Sequence, residues 1–297
     1  MVIRQAHLPE HAAILDLVLH RCAHLNRALV EPAVIDPSAT EDRTLLAAYD
    51  DGGLVGVGLQ YHGIGIAPGR LYRLLVVADA ALGSGLGSAL QRELDAALPP
   101  DAVATSGEID DRDQHALAVA EHWGYSVTQH SVTSRLGLAG VPEPALPAGV
   151  SVEVSPRLAV ADEAAVEAMY AASQTNPEVA QTGVLTLAAL RAMAAETAGV
   201  LPVGLVVRDA GRPVALSFAI VADGEAQVVY TGVRPDARGR GLARLAKQAL
   251  HVAAARLGAS SAVTDNEDDN AGIRAVNAAL GYRRVLGRYW VSRAVAR

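Results

Sequence analysis

Apolar residues along this chain follow two spacings, and the same succession of spacings occurs twice. Val2 and Ile3 precede a stretch in which Ile14, Val18 and Leu25 recur on one side of a helix; Val150, Val152 and Val154 alternate as in a strand and precede a helix carrying Val166, Met169 and Tyr170. Leu45 to Tyr49 and Leu54 to Leu59 flank Asp50, Asp51, Gly52 and Gly53. Val203 to Val207 and Val214 to Ile220 flank Asp209, Ala210, Gly211, Arg212 and Pro213. Both sets predict β-hairpins, because Gly and Asp tolerate the turn while apolar residues line the strands. Next, LLVVADAALGSGLG from Leu74 to Gly87 aligns with YTGVRPDARGRGLA from Tyr230 to Ala243, setting Val77 beside Val233 and Gly85 beside Gly241. Trp123-Gly124-Tyr125 and Leu280-Gly281-Tyr282 close the copies at nearly the same offset. Between them, Pro142, Pro144 and Pro147 interrupt any period and mark a linker. The expected organisation is a domain over 1–138, a linker over 139–149 and a domain over 150–297. Each domain is α/β, a mixed, mostly antiparallel sheet flanked by helices.

Composition narrows how such domains are filled. Hydrophobic residues are 51% of the 297 and aromatic residues only 4%, so Ala, Leu and Val must build the cores. A net charge of -7 argues against a nonspecific grip on nucleic acid. Cys22 is the only cysteine, which excludes an intrachain disulfide and a cysteine metal cluster. No apolar run reaches membrane-spanning length, and a cytoplasmic location is expected. His115, His122, His130 and His251 form no His-x-x-x-His pair, so no metal is expected. The oligomeric state is open.

Candidate chemistry concentrates in the second copy. A strand from Gln227 to Val233 is broken by Arg234-Pro235-Asp236-Ala237, and Arg238-Gly239-Arg240-Gly241 follows. Leu242, Leu245, Ala246, Ala249, Leu250 and Ala253 then trace one face of a helix. A strand, a glycine turn and a helix start offer free amides to a phosphate, and Arg238 and Arg240 add positive charge at the same mouth. No Gly-Lys-Ser/Thr follows, and the third glycine of a dinucleotide fingerprint is missing, so acyl transfer outranks hydride transfer.

Here the sequence resembles the GCN5-related N-acetyltransferase (GNAT) superfamily. Its signature Gln/Arg-x-x-Gly-x-Gly/Ala is similar to Arg238-Gly239-Arg240-Gly241-Leu242-Ala243, and the tandem layout resembles a mycothiol synthase-like subgroup, whose ending is similar to Thr264-Asp265-Asn266, Asn270 and Asn277 to Tyr282. The resemblance implies acetyl-CoA, or another acyl-CoA, as cosubstrate. It places the pyrophosphate on the amides of the 238–243 turn and the acetyl carbonyl on the Val233 amide at a strand bulge. Thr231 lies on the same strand face, and the helix from Asn270 to Asn277 would border the pantetheine arm. In the first copy Leu82 and Ser84 stand where the two arginines would be. That copy is expected to be a structural half, a second coenzyme site or a second active site.

The proton-transfer groups are less defined. Where the superfamily often carries a carboxylate, six residues before Val233, this chain has Gln227, which cannot act as a base. Glu225 is the candidate catalytic base, with Asp265 as the alternative. Asn277 stands where a tyrosine acid is usual, with Ala120 in the first copy. Leu185, Leu187, Leu190, Met193 and the region of Val200 are candidates to roof an acceptor pocket. The expected activity is direct transfer of an acetyl group to the primary amine of a small metabolite. The alternatives are a non-enzymatic acyl-CoA sensor and a protein with no ligand.

Overall fold

A computed structural model describes residues 1–22, 25, 27–38, 40–62, 67–174, 186–192 and 200–295. The expected roof positions Leu185 and Met193 lie outside the described residues. The chain forms two compact units: Met1–His130 together with Gly287–Arg297, and Ser131–Leu286. The linker residues 139–149 thus fall in the second unit, and the last eleven residues in the first.

In the first unit β1 (Val2–Gln5), β2 (Glu41–Asp50), β3 (Gly53–His62) and β4 (Arg70–Val77) form an antiparallel meander. Helices α1 (His11–Arg21) and α2 (Arg27–Ile35) lie between β1 and β2 in sequence. After α3 (Leu86–Ala96), β5 (Ala104–Asp110) pairs parallel with β4. Then come α4 (Gln114–His122) and β6 (Ser126–Gly137). Strand alternation splits the apolar residues between two faces. Ala47, Val57, Leu59 and Leu74 pack with Ile14 and Val18 of α1, whereas Leu46, Ala48 and Val55 pack with Leu86, Leu90 and Leu94 of α3.

The second unit repeats the plan with β7 (Val150–Ser155), α5 (Glu163–Ser173), α6 (Leu187–Ala192), β8 (Leu201–Asp209), β9 (Arg212–Ala222) and β10 (Glu225–Val233). It continues with α7 (Leu242–Arg256), β11 (Ser261–Glu267), α8 (Ala271–Leu280) and the start of β12 (Arg283–Ala294). Strands β7 to β10 are antiparallel, β10 to β11 is parallel, and Ser131–Gly137 of β6 pairs antiparallel with β11. Leu205, Val207, Ala215 and Ala219 face α7, while Val206, Leu216 and Phe218 face α5 and α6. Leu187 and Leu190, two of the expected roof residues, are fully buried in that second cluster.

The hairpin turns are tighter than the sequence pattern suggests. Only Ala210 and Gly211 separate β8 from β9, and only Asp223 and Gly224 separate β9 from β10, all four with positive φ. Such left-handed pairs match the twist of the flanking strands. A residue with a side chain at the first turn position tolerates this at some strain, and glycine at the second carries it freely.

Candidate active site

In each unit the parallel strand pair opens into a fork. The second copy's β10 and β11 stay in register from Glu225↔Ser261 to Val228↔Thr264, and pairing ends there. On the other edge of β10 the register with β9 shifts between Val228 and Tyr230. Val229 is the extra residue of a bulge, which turns the strand away from β11. The expected bulge at Val233 is therefore corrected: Val233 is paired with Ala215, and the bulge lies four residues earlier. The first copy's fork opens after Tyr72↔Ser106 without a register shift between β3 and β4.

The Val233 carbonyl accepts from Arg238 Nε at 3.2 Å, while the following amide, of Arg234, returns to Val214 of β9. Because the amide and carbonyl of one strand residue share a side, Val233 turns both toward the fork. Thr231 sits two residues before it, its hydroxyl 2.8 Å from Ser217 Oγ. Gly232 lies between them, against the Tyr230 and Ser173 hydroxyls, which are 2.5 Å apart. Burial raises the Tyr230 phenol above its ordinary range.

Beyond Val233, Pro235 starts a single 3-10 turn, and Gly239 and Gly241 follow at φ of 75° and 74°. Gly241 caps α7, leaving the amides of the first helical turn without intrahelical partners. Leu242, 2% exposed, anchors that turn to the core, and Ala243 packs at its edge. The arginines have internal partners: Arg238 reaches the Val233 and Ser173 carbonyls, and Arg240 pairs with Asp209 at 2.8 Å. The Arg240 pair is half-exposed, so exchanging it for a phosphate costs little.

The first copy builds the same turn. Gly83 and Gly85 have φ of 75° and 82°, and Gly85 caps α3. A side-chain carbon at any of these four glycines would meet nothing within 4 Å, so both turns face open space. Beside the first turn lies a cavity of about 800 Å3, lined by Val77, Gly83, Gly85, Asp110, Arg112 and Trp123 among others. Cys22 also lines it, and burial pushes its thiol up to about 12, out of the range of a nucleophilic thiolate.

The remaining candidates separate. Asn270 caps α8, accepting from the Ile273 amide at 3.3 Å. Asn277 is 5% exposed and donates to Asn266 Oδ1 at 2.5 Å, which ties α8 to β11 past the fork apex. Glu225 stands at the closed end of the fork, paired with Arg135 at 2.6 Å and accepting from Ser261 at 3.2 Å. Eight residues of strand separate it from Val233, roughly 26 Å. Asp265 lies just past the apex, accepting from Gln227 Nε2 at 3.1 Å and from the Thr133 hydroxyl.

One site residue escaped the sequence pattern. Lys247 of α7 is 1% exposed and donates to Asn277 Oδ1 at 2.6 Å and, at 3.4 Å, to Thr264 Oγ1. Its Nζ lies 4.9 Å from the centre of the Tyr282 ring, whose hydroxyl is 2.7 Å from His251 Nε2. Burial alone lowers Lys247 to about 7. Burial first, and Lys247 second, lower His251 to about 3.

Among the described residues no group of three metal-ligating side chains occurs, and no helix is long and apolar enough to cross a membrane. No family model and no curated protein matches the chain. Solved structures do. A tandem GNAT protein from the clavulanic acid biosynthesis pathway is 19% identical with a TM-score of 0.76, over 100% of this chain and 99% of that one. A GCN5-related N-acetyltransferase from Sphaerobacter thermophilus is 16% identical with a TM-score of 0.72, over 100% and 96%. A third, from Kribbella flavida, is 19% identical with a TM-score of 0.52, over 95% of each chain. The chain has the tandem GNAT fold.

Proposed function

We propose that this protein is an acyl-CoA-dependent N-acetyltransferase, of a kind resembling the mycothiol synthase-like subgroup, that acetylates the primary amine of a small metabolite from its second copy. One observation carries the reading: the bulged fork of β10 and β11 runs without interruption into the open glycine turn of α7. The turn amides and Arg240 would take the pyrophosphate, the pantetheine arm would enter the fork, and the Val233 amide would hold the acyl carbonyl as charge builds on its oxygen. Acetyl-CoA supplies the activated acyl group. The amine attacks directly, and its proton goes through water to Asp265, whose carboxylate sits beside Gln227 and so replaces the carboxylate missing from β10.

A transfer screen by mass spectrometry with acetyl-CoA and a panel of amino acids, amino sugars, polyamines and aminothiols tests the activity; absence of any acetylated product overturns it in favour of a coenzyme sensor. Within an active protein, Asp265→Asn is expected to lower kcat roughly a hundredfold, most strongly at low pH, where little amine is neutral. Glu225→Gln is expected to leave kcat unchanged, because its carboxylate is at the closed end of the fork. The reverse ranking would return the base to Glu225.

The cavity beside the first turn favours a second reading of the other copy, as an additional coenzyme site. Calorimetry separates the two copies. Arg238→Ala and Arg240→Ala are each expected to weaken acetyl-CoA binding at the second site by about ten- to a hundredfold, the range of one charge-assisted contact, whereas Leu82→Ala and Ser84→Ala leave that site unchanged. A stoichiometry of two places coenzyme in both copies, and a stoichiometry of one that is insensitive to both arginines assigns it to the first.

A further inference from the structure

Lys247 is the chain's only lysine; every other member of the Lys and Arg set is arginine. It is also the least expected place for a cation. It makes no ion pair among the described residues, and its head group is enclosed by α7, α8, β11 and the residue ahead of β12. An unpaired ammonium is costly to bury, and an apolar side chain of the same volume would fill the space without that cost. Filling space therefore does not explain this residue.

Its position does. Thr264, which Nζ contacts, is the last residue of β11 still paired with β10, so the ammonium sits at the apex of the fork. Asn277, which accepts its stronger hydrogen bond, is tied to Asn266 just beyond that apex. Matching the glycine turns of the two copies puts Gln91 at the corresponding place in the first, where an uncharged amide lies against the Arg73 and Arg293 guanidiniums and both arginines pair with Asp95. The titratable groups facing Lys247 are His251 from its own helix and Tyr282 from the segment entering β12. Asn277 of α8 and Thr264 of β11 do not titrate. His251 stays neutral and Tyr282 stays protonated across the neutral range, because burial disfavours the charged form of each. Asp265 and Glu267 alternate to the opposite face of β11 from Thr264 and Asn266.

We propose that Lys247 Nζ delivers the proton taken up by the coenzyme thiolate as it leaves the acyl group, with Asn277 and Thr264 holding the ammonium at the fork apex. The inference rests on the acyl-transfer reading of the second copy. The amine nitrogen bonds to the thioester carbon, the carbon–sulfur bond breaks with its electron pair on sulfur, and sulfur takes a proton that Nζ supplies through water in the fork. The proton lost by the amine passes through Asp265 to solvent, and solvent returns one to Lys247. An amine titrating close to neutrality suits this role, since it is both charged often enough to give a proton and weak enough a base to release it. The acyl carbonyl at Val233 lies five strand residues, roughly 16 Å, from the Val228–Thr264 apex, so the proton passes from Nζ to sulfur through water in the fork.

Free coenzyme A is the probe. Its bound thiolate absorbs in the ultraviolet, and protein loaded with desulfo-coenzyme A provides the blank. In Lys247→Arg, whose guanidinium stays charged where a thiol ionises, the bound thiol is expected to ionise at a pH about one unit lower than in Lys247→Met. Lys247→Met is also expected to lose roughly a hundredfold in kcat, with its KM for acetyl-CoA little changed. Lys247→Arg, which keeps the charge but cannot release a proton, is expected to lose kcat as Lys247→Met does. Equal thiol titrations in Lys247→Arg and Lys247→Met, or undiminished kcat in Lys247→Met, overturn the inference and leave acyl transfer standing. A natural protein that binds no coenzyme A, or acetylates no amine, overturns the acyl-transfer reading and this inference with it.

Discussion

A Lys247→Met protein is expected to be more stable than the natural chain below pH 7 and to lose that advantage as the pH rises toward 10. In the unfolded chain the amine titrates near 10.5, and in the folded protein near 7. Between those values the unfolded state binds the extra proton, so the stability of the natural protein climbs with pH across that window. Below it both states are charged and the fold carries the whole cost of burying an ammonium. Methionine removes the cost at every pH. The displacement from 10.5 to about 7 corresponds to roughly 5 kcal/mol as an upper bound, reduced wherever water reaches the amine. Urea unfolding of both proteins over a pH series, followed on the transition of the second unit, measures the gap. A gap that does not change with pH would mean that Lys247 is paired or hydrated in solution.

Gly107→Ala is expected to be the most damaging small substitution in the first unit. Gly107 directly follows Ser106, the last β5 residue in register with β4, and a side-chain carbon there would stand 2.6 Å from the carbonyl oxygen of Arg73. What blocks it is backbone, so no rotamer change relieves the clash. Overpacking usually costs about 1–3 kcal/mol, and this site belongs at the upper end. Gly137→Ala is the matched control: it too lies in a strand paired on its edge, but nothing stands within 4 Å of the added carbon. It is expected to change stability by less than about 0.5 kcal/mol. Thermal unfolding of the two variants decides the comparison, and equal melting temperatures would show that β4 and β5 can separate freely at the apex.

The parts of the molecule that the sequence displayed are those with a local rule behind them. Alternation in Val203–Val207 and Val214–Ile220, and the glycine pairs at 83/85 and 239/241, each depend on neighbours a few residues away, so pattern sufficed. The equivalence of the two turns was legible in the same spacing, although Leu82 and Ser84 stand where the second copy has arginines, because the backbone path follows Gly83 and Gly85. The bulge at Val229 has no marker: it falls in a Val-Val-Tyr run without glycine. Glu225 and Asp265 lie at different depths of the fork, and that depth exists only once the strands are in register, so no local pattern displays it. Lys247 was hidden by habit, for a lysine in an exposed-looking turn of helix ordinarily faces water. Two signs were available: it has no fellow lysine anywhere, and Ala243, Ala246, Leu250 and His251 surround it on the helix.

The first unit is written in two pieces. Arg288 to Ala294 lie along β5 from Asp110 to Ala104, and Arg288 reaches the buried carboxylate of Glu108 at 3.0 Å, yet the whole of Ser131–Leu286 comes between them in sequence. During synthesis, the β5 edge and its acid therefore wait, exposed, while the whole of Ser131–Leu286 is made. The edge is a template for pairing with a stray strand throughout that delay. The first unit is opened before the second and completed only after it.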